Sequence, residues 1–156
     1  MRYYTELPTM AGLLRIVEEN DAIVQIQFEQ EQKTVGDAAL QDTPLLLEAK
    51  RQLEEYFAGL RAGFSLPLNP QGTAFQKKVW QQLEAIPYGQ TRTYGQIAAA
   101  VGQPTASRAV GGANHNNPIA IVIPCHRVIG ANGKLTGYAG GLDIKEKLLR
   151  LEGVEV

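Results

Sequence analysis

This sequence predicts an α+β protein of two lobes. A small antiparallel sheet with one helix occupies residues 1–68, and a mostly helical lobe with a helix-turn-helix and the chain's single cysteine occupies residues 73–156. Three observations carry the prediction. Residues 12–30 partly alternate apolar and polar side chains, as half-buried strands do. After Pro44, and again after Thr73, apolar positions recur at helical spacing. Between these halves the stretch Ser65 to Gly72 holds two prolines and a glycine, which reads as a connector and places the lobe boundary.

Taken in order, Gly12–Glu19 and Ala22–Gln30 are the two strands, joined by the turn-like Glu19-Asn20-Asp21. Pro44 suits a first helical turn, Leu46, Ala49, Leu53 and Phe57 then share one face, and Gly59 and Gly63 end the helix. Thr73 and Gln76 form a capping box ahead of the stripe Phe75, Val79, Leu83 and Ile86, which Trp80 widens and Pro87 stops. Tyr94 to Val101 and Thr105 to Ala113 are helical around the breaker Gly102-Gln103-Pro104, the pattern of a helix-turn-helix. The apolar run Ile119 to Ile123 reads as a buried strand leading to Cys125. Val128-Ile129 and Lys134 to Thr136 flank Asn132-Gly133 as a hairpin, and Tyr138 to Gly141 form a loop. Asp143 caps the last helix, with Glu146 at the box position, and Glu152-Gly153 ends it.

Composition narrows the function. No apolar run reaches the ~18 residues of a membrane span, and Met1 to Glu6 lacks the apolar core of a secretory signal, so a cytoplasmic protein away from membranes is expected. One cysteine excludes an internal disulfide and a cysteine-based zinc cluster. The net charge of -1 divides unevenly, with -5 over residues 1–72 and +4 over residues 73–156. A basic C-terminal half is compatible with an anionic partner.

Chemistry centres on Pro124-Cys125-His126-Arg127-Val128. Thiolate is the nucleophilic form of cysteine, and a neighbouring imidazole can generate it near neutral pH. Neighbours on an extended strand point to opposite faces, so contact between Cys125 and His126 requires a bend or a bridging water. A lone buried cysteine can equally be an inert core residue. The second helix of the helix-turn-helix is smooth, with Ala106, Ala109, Gly111, Gly112 and Ala113 around one long side chain, Arg108. Such a surface permits close approach to a sugar-phosphate backbone with little base readout, or simply close helix packing. Asn117, before Pro118, is placed to bond nearby backbone and set the approach to Cys125.

These stretches together resemble the O6-alkylguanine-DNA alkyltransferases, the methylated-DNA–protein-cysteine methyltransferases, of the bacterial single-polypeptide type. The resemblance runs from about Gly72 to Gly153 through Ala85 to Gly89, Thr93 to Gln96, Arg108 to Gly111, Asn117-Pro118, Pro124 to Val128, Gly137 to Gly141 and Lys145-Glu146. It implies DNA repair in which an O6-alkylated guanine, or an O4-alkylated thymine, is flipped from duplex DNA. Its alkyl group then passes irreversibly to Cys125, once per molecule. Further implications are a water between Cys125 and His126, Glu152 orienting the histidine, Arg127 paired with a carboxylate, and Asn117 as a hinge. Tyr94 would crowd the phosphate and assist protonation of the leaving guanine. The resemblance also implies minor-groove binding by Thr105, Ala106, Ser107, Ala109 and Gly111, with Arg108 filling the gap left by the base. Val128, Tyr138, Ala139 and Gly140 would form the pocket. A monomer with no cofactor is implied, and the zinc site of some relatives is not carried over, because no second cysteine exists.

Three other classes fit the residues less well. A lesion-binding protein without transfer would share the fold and the arginine but replace the cysteine, and a regulatory DNA-binding module would need base-reading side chains. A cysteine hydrolase would require turnover and an oxyanion loop before Cys125.

Overall fold

Strands β1 (Arg2–Thr9), β2 (Gly12–Glu19), β3 (Ala22–Phe28) and β4 (Ala39–Leu40) build one sheet in the order β3-β2-β1-β4, antiparallel except for the β1–β4 pair. The structure, a computed structural model, describes residues 1–29, 36–138 and 140–156. Gln30, expected to end the second strand, and Ala139, expected in the pocket, lie outside the described residues. Asn20 and Asp21 both have positive φ, which gives the β2–β3 hairpin a turn twisted to match its strands. The first strand goes beyond the two that were expected. It forms because β2 offers it a full ladder from Arg2↔Glu19 to Thr9↔Gly12.

Helix α1 (Pro44–Phe57) starts at Thr43, whose side chain accepts from the Leu46 amide, and it lies against β1 and β2. Leu46, Ala49, Leu53 and Tyr56 are completely buried, so Tyr56 rather than the expected Phe57 completes the stripe. Each buried leucine contributes about 1.5–3 kcal/mol of transfer free energy. Helix α2 (Ala74–Glu84) opens with the expected Thr73–Gln76 capping box, and Trp80 donates its indole N–H to Ala113 O at 2.9 Å. A two-residue strand β5 (Arg92–Thr93) leads into α3 (Tyr94–Ala100), and α4 (Ser107–His115) follows the Gly102 turn. α4 starts two residues later than expected, leaving Thr105 and Ala106 in the turn with no side-chain cap.

The run Ile119 to Ile123 is not a strand. Its single rung to the sheet is Ile26↔Ile119, with Ile26 N–H on Pro118 O and Ala120 N–H on Ile26 O, both 2.9 Å. Beyond that rung the chain folds back: Val122 N–H bonds Ala120 O at 2.8 Å around Ile121, whose φ is 72°. This is the strained hand of the γ-turn, and a β-branched residue there is a true outlier. The connector pairs with the same edge of β3, Ile23 N–H to Pro67 O and Asn69 N–H to Ile23 O, both 2.8 Å. Both segments therefore cover an edge strand and join the lobes there.

After a 3₁₀ turn at Cys125–Arg127, β6 (Val128–Ile129) pairs in parallel with β5, not with residues 134–136. The expected hairpin keeps its turn, Gly130 N–H to Lys134 O at 2.9 Å, but loses its second strand. The Thr136 carbonyl accepts from the Lys145 ammonium at 2.7 Å and the Tyr94 hydroxyl at 3.0 Å instead of a ladder partner. Helix α5 (Leu142–Leu151) follows Gly141, whose φ of 103° makes the entry, and it has no side-chain cap. Asp143 lies in its first turn, where its charge meets the positive helix end, rather than capping it. Among the described residues, no helix is long and apolar enough to cross a membrane.

Candidate functional site

Cys125 opens the 3₁₀ turn and is 5% exposed. Pro124, at φ -81° and ψ 66°, makes an inverse γ-turn closed by Cys125 N–H on Ile123 O at 2.8 Å. Consecutive residues of a 3₁₀ turn project about 120° apart, so the bend demanded by the Cys-His dipeptide comes from this turn and not from an extended strand. Asn117 holds the approach: its Nδ2 donates to Ile123 O at 2.7 Å, and its Oδ1 accepts from the Ile119 amide at 3.0 Å. Asn114, on the last turn of α4, donates Nδ2 to the carbonyl of Cys125 itself at 3.3 Å.

Behind the cysteine lies a fully buried polar cluster. His126 is 0% exposed and its Nε2 lies 2.7 Å from Glu152 Oε2. Glu152, at the end of α5, also accepts Arg127 Nε at 2.8 Å on Oε1, Arg127 Nη2 at 3.0 Å on Oε2, and the Tyr56 hydroxyl at 2.5 Å on Oε2. Arg127 further donates Nη1 to Ile86 O at 2.7 Å and lies over the Tyr88 ring. Burial alone would push the Glu152 carboxyl up, but the bonds from His126, Arg127 and Tyr56 outweigh it and hold the group down at about 2.

Glu152 is therefore an anion and an obligate acceptor, which assigns the proton between it and His126 to Nε2. Burial pushes the imidazole below its ordinary range, the Glu152 bond offsets part of that, and the charges of Arg127 and Lys145 add to the lowering. A neutral imidazole protonated on Nε2 carries its basic lone pair on Nδ1, and that atom is buried without a hydrogen-bond partner among the described residues. Lys145 is also completely buried, donating to the carbonyls of Val128 and Thr136. Burial lowers its ammonium to about 8, against an opposing pull from Cys125.

The structure thus gathers Cys125, His126, Glu152, Asn117 and Val128 into one bonded neighbourhood. Tyr138, 8% exposed, shares the same apolar core cluster as Cys125 and Val128. Gly140 is buried, and a Cβ there would come within 2.9 Å of the Tyr138 ring. Tyr94 stands apart from the dyad: its hydroxyl reaches Thr136 O, and its ring lies along Gly111 of α4. Thr105, Arg108 and Ala109 are exposed, Ala106, Ser107 and Gly111 half-buried, and Arg108 has no ion pair among the described residues.

Three residues of the site escaped sequence reasoning. Tyr56 had a legible signal, since it continues the Leu46, Ala49, Leu53 spacing into the buried face. Lys145 shares the buried face of α5 with Ile144, Leu148 and Leu149, where a lysine is unexpected without partners. Asn114 falls one helical turn after the buried Val110, and nothing in the sequence links it to Cys125.

Two family models match the chain, "6-O-methylguanine DNA methyltransferase, ribonuclease-like domain" over residues 2–70 and "6-O-methylguanine DNA methyltransferase, DNA binding domain" over residues 74–154. A methylated-DNA–protein-cysteine methyltransferase of Methanosarcina acetivorans is 53% identical over 97% of this chain and 98% of its own length. The constitutive methylated-DNA–protein-cysteine methyltransferase of Bacillus subtilis is 54% identical over 99% and 97%. A crystal structure of the Mycobacterium tuberculosis OGT protein in complex with DNA superposes with a TM-score of 0.90 at 44% identity, covering 96% of this chain and 92% of that one.

Proposed function

This chain belongs to the 6-O-methylguanine-DNA methyltransferase family, and we propose on that premise how its own residues repair alkylated DNA. The reaction moves the alkyl group of an O6-alkylguanine to Sγ of Cys125. The observation that carries this reading is the buried Glu152–His126 dyad immediately behind the only cysteine.

In the proposed sequence the Cys125 proton passes through a water to Nδ1 of His126, while Glu152 stabilises the charge that grows on the imidazole. The thiolate attacks the alkyl carbon in line with the departing oxygen. The S–C bond forms, the C–O6 bond breaks, and its electron pair moves into the guanine, which takes up a proton. Tyr94 assists that protonation. A thioether has no route back to thiol in this site, so each molecule reacts once. Thymine carrying an O4-alkyl group presents the same kind of ether and is a second substrate of the reading.

Reaching the alkyl carbon requires the base to leave the stack, because the thiol is buried and the helix intact. The face formed by the exposed Thr105, Arg108 and Ala109 and the half-buried Ala106, Ser107 and Gly111 fits the minor groove, with Arg108 entering the stack in place of the base. The pocket of this reading comprises Val128, Tyr138 and Gly140. Residues 73–156 carry binding and transfer on a scaffold formed by residues 1–68, and the protein acts as a monomer in a reducing cytoplasm that keeps the thiol free.

Incubation with O6-methylguanine duplex DNA followed by intact-mass and peptide analysis tests the reading. One methyl per molecule on Cys125 is expected. An unmodified wild type, or an equal adduct on C125S, would overturn it.

A further inference from the structure

Tyr56 belongs to the N-terminal lobe, yet its hydroxyl bonds a residue 96 positions away at the centre of the site. It is completely buried on the last turn of α1, with its ring against Phe64 at 5.6 Å and edge-on to Tyr88 at 6.3 Å. Those contacts fix where the hydroxyl points. It donates to Oε2 of Glu152, the oxygen that also takes His126 Nε2 and Arg127 Nη2. One carboxylate oxygen offers two in-plane lone pairs, so three donors there compete for the same charge.

We propose that Tyr56 is a positioning residue of the alkyl transfer: its hydrogen bond to Glu152 fixes the carboxylate against His126 and limits how basic the imidazole becomes. The N-terminal lobe thereby completes the relay behind Cys125. This rests on the alkyl-transfer reading and deepens it.

The groups facing the relay come from four places in the fold. His126, Arg127 and Cys125 stand on the 3₁₀ turn, Glu152 and Lys145 on α5, Tyr88 on the turn after α2, and Tyr56 on α1. Glu152 raises the proton affinity of His126, while Arg127 and Lys145 lower it. Tyr56 withdraws part of the Glu152 charge. Burial pushes its own phenol far up, with Glu152 adding to the rise, so it remains a donor at every pH where the fold persists. With the hydroxyl removed, more of the carboxylate charge falls on His126, and the imidazole keeps its proton to higher pH. A His126 that must be neutral to receive the Cys125 proton then sets the acid side of the rate.

The experiment compares the full-length wild type with Y56F, using the free base O6-methylguanine so that DNA binding does not enter. The expected result is an acid-side midpoint of the transfer rate raised by ~0.5 pH unit or more, with a lower plateau rate. A 3-fluorotyrosine placed at position 56 is a stronger donor and should move the midpoint down. Coincident pH profiles for all three proteins, whatever their melting temperatures, overturn the proposal. The chain has only two histidines, so histidine-selective NMR gives a readout independent of activity. His126 ring-nitrogen shifts that differ between wild type and Y56F support the proposal, and identical shifts refute it. A wild type that transfers nothing defeats the alkyl-transfer reading instead, and the NMR comparison still decides the effect of Tyr56.

Discussion

Asn114 and Cys125 are joined by a hydrogen bond from the amide Nδ2 of one to the carbonyl of the other, at 3.3 Å. Asn114 belongs to α4, whose outer face carries Arg108, so a single side chain links the proposed DNA-binding helix to the backbone of the nucleophile. Its position one residue before the end of α4 puts the bond where the helix meets the loop that Asn117 shapes.

Replacing Asn114 with alanine removes this tie and leaves the Cys125 carbonyl short of a buried donor. A loss of about 0.5–1.5 kcal/mol in stability is expected, the net worth of one hydrogen bond, because the Cys125 carbonyl keeps the Val128 amide as a donor. Transfer should slow by ~10-fold on duplex and free base alike, since the displaced element is the nucleophile. Urea unfolding and single-turnover kinetics measure the two effects, and an unchanged rate would reduce Asn114 to a packing role.

Arg108 gives the opposite split. It is exposed and touches no part of the dyad, so R108A should leave reaction with the free base within about twofold of wild type. Repair of duplex DNA should fall by ~10-fold or more, because nothing then occupies the gap left by the flipped base. Equal losses on both substrates would remove its role in the stack.

Acid should destabilise the protein in two stages. The unfolded chain protonates a histidine near 6.5, whereas His126 in the fold is depressed below that value, so stability begins to fall as pH drops through 6.5. Glu152 is held at about 2 against an ordinary 4.5. Its contribution is complete above 4.5 and is lost as pH falls from there toward 2, again because the unfolded chain takes the proton first. Urea midpoints measured from neutral to acid pH test both stages. E152Q should be less stable at neutral pH by about 3–5 kcal/mol, with Arg127 buried beside a neutral amide, and its loss below pH 4.5 should be shallower.

Lys145 presents a buried positive charge whose titration is coupled to Cys125. K145M removes the charge and the two carbonyl bonds while keeping most of the volume. The Cys125 thiol should then titrate at higher pH, followed by the ultraviolet absorbance of the thiolate, and transfer at neutral pH should slow by ~10-fold. If the thiolate titration stays where it is in wild type, Lys145 serves only to hold residues 128–136.

Much of this was written in local signals. Thr43 before Pro44 and the Thr73–Gln76 box start helices where a side chain can satisfy free amides at once, and such starts depend on neighbours only. The expected strand at Ile119 to Ile123 failed for a different reason. An apolar run reports burial, and here burial comes from insertion between the lobes, with Asn117 bending the backbone around Ile121. The Asn132-Gly133 turn formed, but its second arm gave its Thr136 carbonyl to Lys145 and Tyr94, side chains from α5 and α3.

What the sequence by itself determined is the helix registers, the connector, and the pairing of one cysteine with an adjacent histidine, all properties of residues close along the chain. Only the tertiary structure decided which atoms surround that pair. Glu152 arrives from α5, Tyr56 from α1, Lys145 from the buried face of α5 and Asn114 from the end of α4. Whether the histidine is neutral, and which nitrogen carries its proton, depends on burial and on charges brought from those distant elements. A linear pattern places residues by spacing, whereas proton affinity is set by desolvation and by partners that meet only when the lobes close on one core.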